Sequence, residues 1–424
     1  MPTLSQFGAL RVRPFRLLWI GQTTSALGDA LVPVALAFAV LDLTHSASDL
    51  GVVLAAQLVP SVTLALAGGV VADRLPRQMV MLGSDIVRGG AQAALAVLLL
   101  TGAARLWQLV LLAAVYGAGQ AFFQPASTGL VPATVPPERL QQANALLGLS
   151  RSGNVIIGPA AAGALIGVFS PGVVFAVDAG TFAVSVASLA MLRLPLPPVV
   201  QRTSFLVDLS GGWRELRSRT WLWVMIVWAS TFMFFVAAPM QVLGPLIAKQ
   251  SLGGAPAWGT IAAAGGIGSV VGGIVALRWR PARPMLAASS AVLLTALPAA
   301  LLAITGPVAL IAGGRLLAGV SLGFFGAVWM TTLQQQVAPE AISRVSAYDW
   351  MGSQVFLPLG LLAVGPVQTA IGVSTTMWIS AGWAVLSTAL ALSVRSVREV
   401  KLALQTTVPA RELTRSDPAG RDSS

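Results

Sequence analysis

GGVVADRLPRQ, from Gly68 to Gln78, closes one apolar run and opens the next. An acid, two arginines and Pro76 fall together here, so the chain turns. The flanking runs, 48–72 and 77–101, each exceed the roughly 18 residues needed to cross a bilayer. The turn is therefore a tight loop at a membrane surface. Gly68 and Gly69 permit close approach by another helix. Asp73 can meet the positive N-terminal end of a neighbouring helix, while Arg74 and Arg77 hold the loop on the cytoplasmic side. The loop reappears as GGIVALRWRPAR, Gly272 to Arg283, at an offset of about 204 residues. Gly68 aligns with Gly272, Gly69 with Gly273, Ala72 with Ala276 and Arg74 with Arg278, but Asp73 gives way to Leu277. A loop present once per half, with its acid only in the first, implies two structural halves with unequal tasks.

Composition agrees. Of 424 residues, 56% are hydrophobic and 10% charged, and the mean hydropathy is +0.80. A water-soluble fold with those proportions would have a mostly apolar surface. The chain has no cysteine, which excludes disulfides, thiolate chemistry and Cys-based metal sites. The single His45 falls in a short loop and builds no metal site; no cofactor is implied. A net charge of +11 raises the possibility of nucleic acid, but the basic residues lie in alternate loops rather than in one patch. The opening MPTLSQFGALRVRPFR carries no cleavable signal pattern.

Twelve spans are predicted, at 15–41, 48–72, 77–101, 107–131, 143–169, 172–193, 221–247, 257–277, 284–305, 308–333, 347–370 and 374–394. This divides the chain into an N-terminal bundle (1–193), a central loop (194–220), a C-terminal bundle (221–395) and a polar tail (396–424), read as frayed. The central loop starts Pro-rich, and Phe205–Leu216 reads as an amphipathic helix at the interface. With the N-terminus inside, only Arg105 and Lys249 fall outside and only Arg88 and Arg315 deep within spans; every other basic residue is in an inner segment or near the inner end of a span. Both termini are thus placed in the cytoplasm.

A repeat of six spans, a long central loop and Gly69, Asp73, Arg74 and Arg77 after the second span resemble the major facilitator superfamily. ALGDALVPVALAFAV in span one, GAGQAFFQPASTGLVPATVPPERLQQANAL across span four and NVIIGPAAAGAL in span five are similar to its macrolide-efflux and enterobactin-exporter-like branch. The resemblance implies an all-α fold of two six-helix bundles in a bacterial inner membrane, acting as a monomer, with spans one, four, seven and ten lining a cavity. It also implies that Asp73 latches the inner face against span eleven. Gly158, Pro159 and Gly163 resemble the antiporter motif of exporters, with three residues between Pro159 and Gly163 instead of two. The family's span-four arginine is absent; RLLAG at Arg315–Gly319 stands in span ten instead.

Polar residues at membrane depth give the candidate site. Asp29 lies mid-span, roughly 18 Å from the outer end. Insertion there costs about 2.5–3.5 kcal/mol, so it should face protein or a wet cavity. It suits a group that binds and releases protons, the alternative being a structural hydrogen bond to a neighbouring helix or to Gln22. Arg315 is its candidate partner across the cavity. Asp85 and Arg88, spaced i, i+3, read as a local pair. Asp178 reads as a structural acid near the outer end, within reach of water. Arg151 and Asp349 occupy near-equivalent places in the two halves and form a candidate inner gate, the alternative being snorkelling to the interface. Gln22, Gln120, Gln124, Asn154 and Gln241 need partners or a wet cavity. Phe232 and Met233 in span seven, with Phe324 and Trp329 in span ten, offer a soft surface for varied amphipathic ligands.

No GxxxxGK[ST] loop is present to drive an ATP-powered pump. No carboxylate cluster suggests a membrane enzyme, and no filter-like loop suggests a channel. The reading is a proton-coupled exporter of small amphipathic compounds (drug, macrolide-like, secondary metabolite or siderophore). The alternative is an importer or uniporter of the same fold.

Overall fold

The structure, a computed structural model, describes residues 4–193, 216–337 and 342–400. The central-loop helix expected at Phe205–Leu216 and the tail beyond residue 400 lie outside the described residues, save Leu216 itself. Among the described residues there are no strands. Ten helices among these residues are long and apolar enough to cross a membrane. Two more complete twelve: α2 is broken, and α5 has a polar first half.

The segments are α1 (Arg13–Thr44), α2 (Ala47–Thr63 continued by Ala65–Arg74), α3 (Arg77–Leu100), α4 (Leu106–Leu130), α5 (Leu140–Val168) and α6 (Pro171–Ala190). After the central segment come α7 (Thr220–Ser251), α8 (Ala255–Arg278), α9 (Pro284–Ala303) and α10 (Val308–Gln336). Then follow α11 (Ile342–Gln354 continued by Leu357–Ile371) and α12 (Val373–Ser393).

Local chemistry sets the breaks. His45 closes α1 in the left-handed region (φ 55), and the Ser46 hydroxyl then caps α2 by accepting from the Asp49 N–H at 3.2 Å. The single histidine is an exposed cap. Pro60 interrupts α2 shortly before its break. α7 widens into a π-turn over Met233–Ala237, just ahead of Pro239, whose missing N–H forbids a regular ladder.

Packing repeats between the halves. In the first, α1 lies against α5 and α6, α3 against α4 and α6, and α2 against α4. In the second, α7 lies against α11 and α12, α9 against α10 and α12, and α8 against α10. The repeated loop shares this geometry. A side chain at Gly68 would strike the Ala121 carbonyl of α4, and one at Gly272 the Val320 carbonyl of α10. Gly69 and Gly273 face open space, so the close approach expected at Gly69 belongs to Gly68 alone. A second match was not read from sequence: Gly158 of α5 packs on Ala30 of α1, and Gly360 of α11 packs on Ala238 of α7.

The halves meet along α5–α8 and α2–α11. Gly163 approaches the Ala255 carbonyl (2.7 Å from a Cβ built there), and Gly365 sits against Ser48. These contacts lie on the side away from the chain ends. There one apolar core is shared by both halves, running from Leu31–Leu41 through Ala238–Ala248 to Leu361. Lys249 of α7 adds an ion pair to Asp42 of α1 at 2.6 Å and donates to the Leu41 carbonyl at 2.6 Å. On the side carrying the chain ends, each half has its own core, one around Phe15, Met81 and Leu130 and the other around Leu222, Met285 and Leu333. Among the described residues, the molecule shares a core at one face and is parted into separate cores at the other.

Candidate functional site

The first half buries a polar cluster between α1, α3, α4 and α6. Arg88 of α3, 1% exposed, donates from Nη1 to Asp29 Oδ2 at 3.2 Å and from Nη2 to Asp85, which has no exposure. The Tyr116 hydroxyl of α4 donates to Asp29 Oδ1. Ser185 of α6 donates to Asp85 Oδ2 at 2.6 Å. Asp178 of α6 is fully buried; Thr181 donates to its Oδ1 at 3.2 Å, while its Oδ2 has no close hydrogen bond among the described residues. Small residues make the room: a Cβ at Gly28 would overlap Asp178, and one at Gly119 would sit 2.8 Å from Arg88 Cγ. The guanidinium carbon also stands 4.3 Å from the Phe123 ring centre and 4.7 Å from that of Phe182. That geometry favours a desolvated cation. Three carboxyls thus gather around one arginine.

Asp29 opens this cluster to a small cavity of about 80 Å³ walled by α1, α3, α4 and α5. Gln22, Gln120, Gln124, Ser127 and Arg151 share its wall. The second half has the matching cavity between α7, α10 and α11, of about 460 Å³. Met225, Met233, Phe325, Trp329, Met330 and Trp350 line it, with Asp349 as its acid. Trp329 Nε1 donates to Asp349 Oδ2 at 2.9 Å. The two cavities occupy equivalent helices, one polar and one mostly apolar.

Against expectation, Asp29 pairs with Arg88 and not with Arg315. Arg315 projects towards α8, its Nε 3.0 Å from a Cβ built at Gly265, and that nitrogen has no partner among the described residues. The reason is geometric: α10 packs its arginine face on glycines of α8, so the side chain is spent within its own half. Asp178 is interior rather than within reach of water, because α1 offers it a glycine, Gly28, to pack upon. The Asp85–Arg88 pair forms as read, but it belongs to the Asp29 cluster.

Arg151 and Asp349 do not pair; each lines the cavity of its own half. Gln22 leaves its Nε2 unpartnered beside the polar cavity. Asn154 is outside that wall, tying α5 to α1 by donating to the Thr23 carbonyl at 3.2 Å. Met233 and Trp329 line the larger cavity, but Phe232 packs on Trp228 and Phe324 stacks on Trp279 at 5.2 Å. Gln241 is exposed and lines neither cavity.

Of the loop residues, Arg77 donates to the Gly129 carbonyl at 2.6 Å, stapling the start of α3 to the end of α4, while Arg74 is exposed. The side chain of Asp73 lies outside the described residues. Sequence reading missed Tyr116. One available signal was that a tyrosine deep in a spanning helix needs a partner for its hydroxyl.

A sequence profile of the family described as Major Facilitator Superfamily matches residues 18–361. Macrolide efflux protein A of Streptococcus pyogenes is 23% identical over 396 residues, covering 92% of this chain and 97% of that protein. Multidrug efflux pump Tap of Mycolicibacterium fortuitum is 25% identical over 409 residues, covering 92% and 98%. Among solved structures, a bacterial homologue of the human lysosomal transporter Spinster superposes with TM-score 0.70 at 14% identity, covering 92% of this chain and 98% of that one. A bacterial homologue of the iron transporter ferroportin superposes with TM-score 0.69 at 16% identity, covering 90% and 98%.

Proposed function

The chain belongs to the major facilitator superfamily, and on that premise we propose that it is a proton-coupled exporter of small amphipathic compounds. It is a membrane transporter, not an enzyme, and its relatives include efflux pumps. The observation that carries the proton coupling is the charge imbalance of the buried cluster. Asp29, Asp85 and Asp178 share Arg88 as the one arginine among them. A buried charge without a partner is expensive, so a proton on one carboxyl stands in for the missing cation. Asp29 is the member that opens to a cavity, and it carries the exchange with solvent.

In this reading both termini are cytoplasmic in a bacterial inner membrane, and a single chain does the work. Residues 1–193 and 221–395 rock about the midplane to give alternating access. The parted face is the cytoplasmic one. Asp73 latches it against α11 when the outside opens. Arg151 and Asp349 flank its mouth, and Gly158, Pro159 and Gly163 form the seam with α1 and α8 on which the halves turn. Arg315 holds α10 to α8 rather than moving protons. Amphipathic compounds bind in the Met- and aromatic-lined cavity. This resembles what the names of two relatives describe, macrolide and multidrug efflux.

The test is transport in proteoliposomes across an imposed pH gradient, with substrates chosen by a resistance panel in an efflux-deficient host. Accumulation should collapse when nigericin dissipates the gradient, and Asp29→Asn should lower the gradient-driven rate at least tenfold while substrate binding persists. Transport indifferent to the gradient would overturn the coupling.

A further inference from the structure

The cavity of the second half has a chemistry that narrows its ligand. Its volume, about 460 Å³, falls within the range of about 300–1,000 Å³ typical of small-molecule sites. Among the described residues its wall contains three methionines and three aromatic rings, with Asp349 as the one charged residue and no lysine, arginine or histidine. Phe325 and Trp329 lie nearly parallel, 11° apart with ring centres at 6.1 Å, and so present a broad π face. Trp329 turns its indole N–H to Asp349 at 2.9 Å, fixing the carboxylate beside that face. A carboxylate, π faces and polarisable sulfur together attract a diffuse, poorly hydrated cation. The equivalent cavity of the first half differs, since its acid, Asp29, is already bonded to Arg88.

We infer that the α7–α10–α11 cavity is a binding site for lipophilic organic monocations, with Asp349 as the counter-charge and Trp329 as the group that positions it. This rests on the exporter reading and names the substrate class of that cavity. Neutral compounds of similar shape enter by apolar contact alone and bind more weakly.

The test uses the purified full chain in detergent, following quenching of tryptophan fluorescence by tetraphenylphosphonium and by neutral triphenylphosphine oxide. The cation should bind at least tenfold more tightly. Asp349→Asn should weaken the cation by about tenfold, which is roughly 1.4 kcal/mol, and leave the neutral compound unchanged; Asp349→Glu should retain the preference. Ala229→Lys leaves the partners of Asp349 in place but adds a cation to the facing wall, and should cost the same factor.

Equal loss of both probes in Asp349→Asn, or cation binding untouched in both charge variants, would overturn the assignment. Binding is read without a membrane or a gradient. Loss of gradient-driven export with selective cation binding intact would therefore sink the coupling alone, and the reverse result would sink this site alone.

Discussion

Asp29 accepts from two donors on two other helices, Arg88 of α3 and Tyr116 of α4. Its side chain is still 29% exposed. It is thus held from one side and open to the cavity on the other. Arg88 is the opposite case, fully enclosed and bonded to two acids. Removing one partner of a buried pair costs about 3–5 kcal/mol. Arg88→Ala is accordingly expected to lower the melting temperature of the purified protein sharply, whereas replacing the fully enclosed pair, Asp85→Leu with Arg88→Met, should recover part of the loss, since Asp29 keeps its Tyr116 bond and its contact with water. Thermal unfolding followed by light scattering would show this, and equal instability of the single and double variants would refute it. Tyr116→Phe removes one bond to a charged group, worth about 1.5–3 kcal/mol. It should leave expression intact while changing the pH dependence of transport, measured across a series of external pH values.

At the scale of the element, the repeated glycine pairs offer a matched comparison. A Cβ at Gly272 would lie 2.7 Å from the Phe324 nitrogen of α10, besides striking the Val320 carbonyl, whereas Gly273 faces nothing within 4 Å. Gly272→Ala must push α8 from α10, at a cost of about 1–3 kcal/mol for overpacking. Gly273→Ala should be neutral or stabilising by roughly 0.5–1 kcal/mol, since alanine suits a helix better than glycine. The same asymmetry should hold for Gly68→Ala against Gly69→Ala. Melting temperatures of the four variants decide it, and a destabilising Gly69→Ala would return that residue to the packing seam.

At the scale of the whole molecule, the state described is set by contacts on one face. The shared core from Leu31 to Leu361 and the Lys249–Asp42 pair close the side away from the chain ends. Asp42 is half exposed, so solvent screening leaves that pair about 1 kcal/mol at most. Breaking it would shift the balance of states by roughly fivefold. Lys249→Ala should therefore raise the labelling rate of a cysteine placed at Ser48, on the α2–α11 seam, by a membrane-impermeant thiol reagent. The absence of native cysteine makes that reading clean. An unchanged rate would mean that the apolar core alone holds the face shut.

Sequence alone determined the membrane class, the spans and the twofold repeat, because bilayer thickness forces long apolar runs and a duplicated loop keeps its small residues where helices touch. The pairing of Asp85 with Arg88 was legible too, since it lies within one helix. Tertiary structure alone decided which charges meet. Asp29, Arg88 and Tyr116 stand on three helices far apart in the chain, and no local spacing announces their contact. Arg315 carries the same charge as Arg88 but turned inward to α8, because which face of a helix meets which neighbour depends on packing that a uniformly apolar span does not encode.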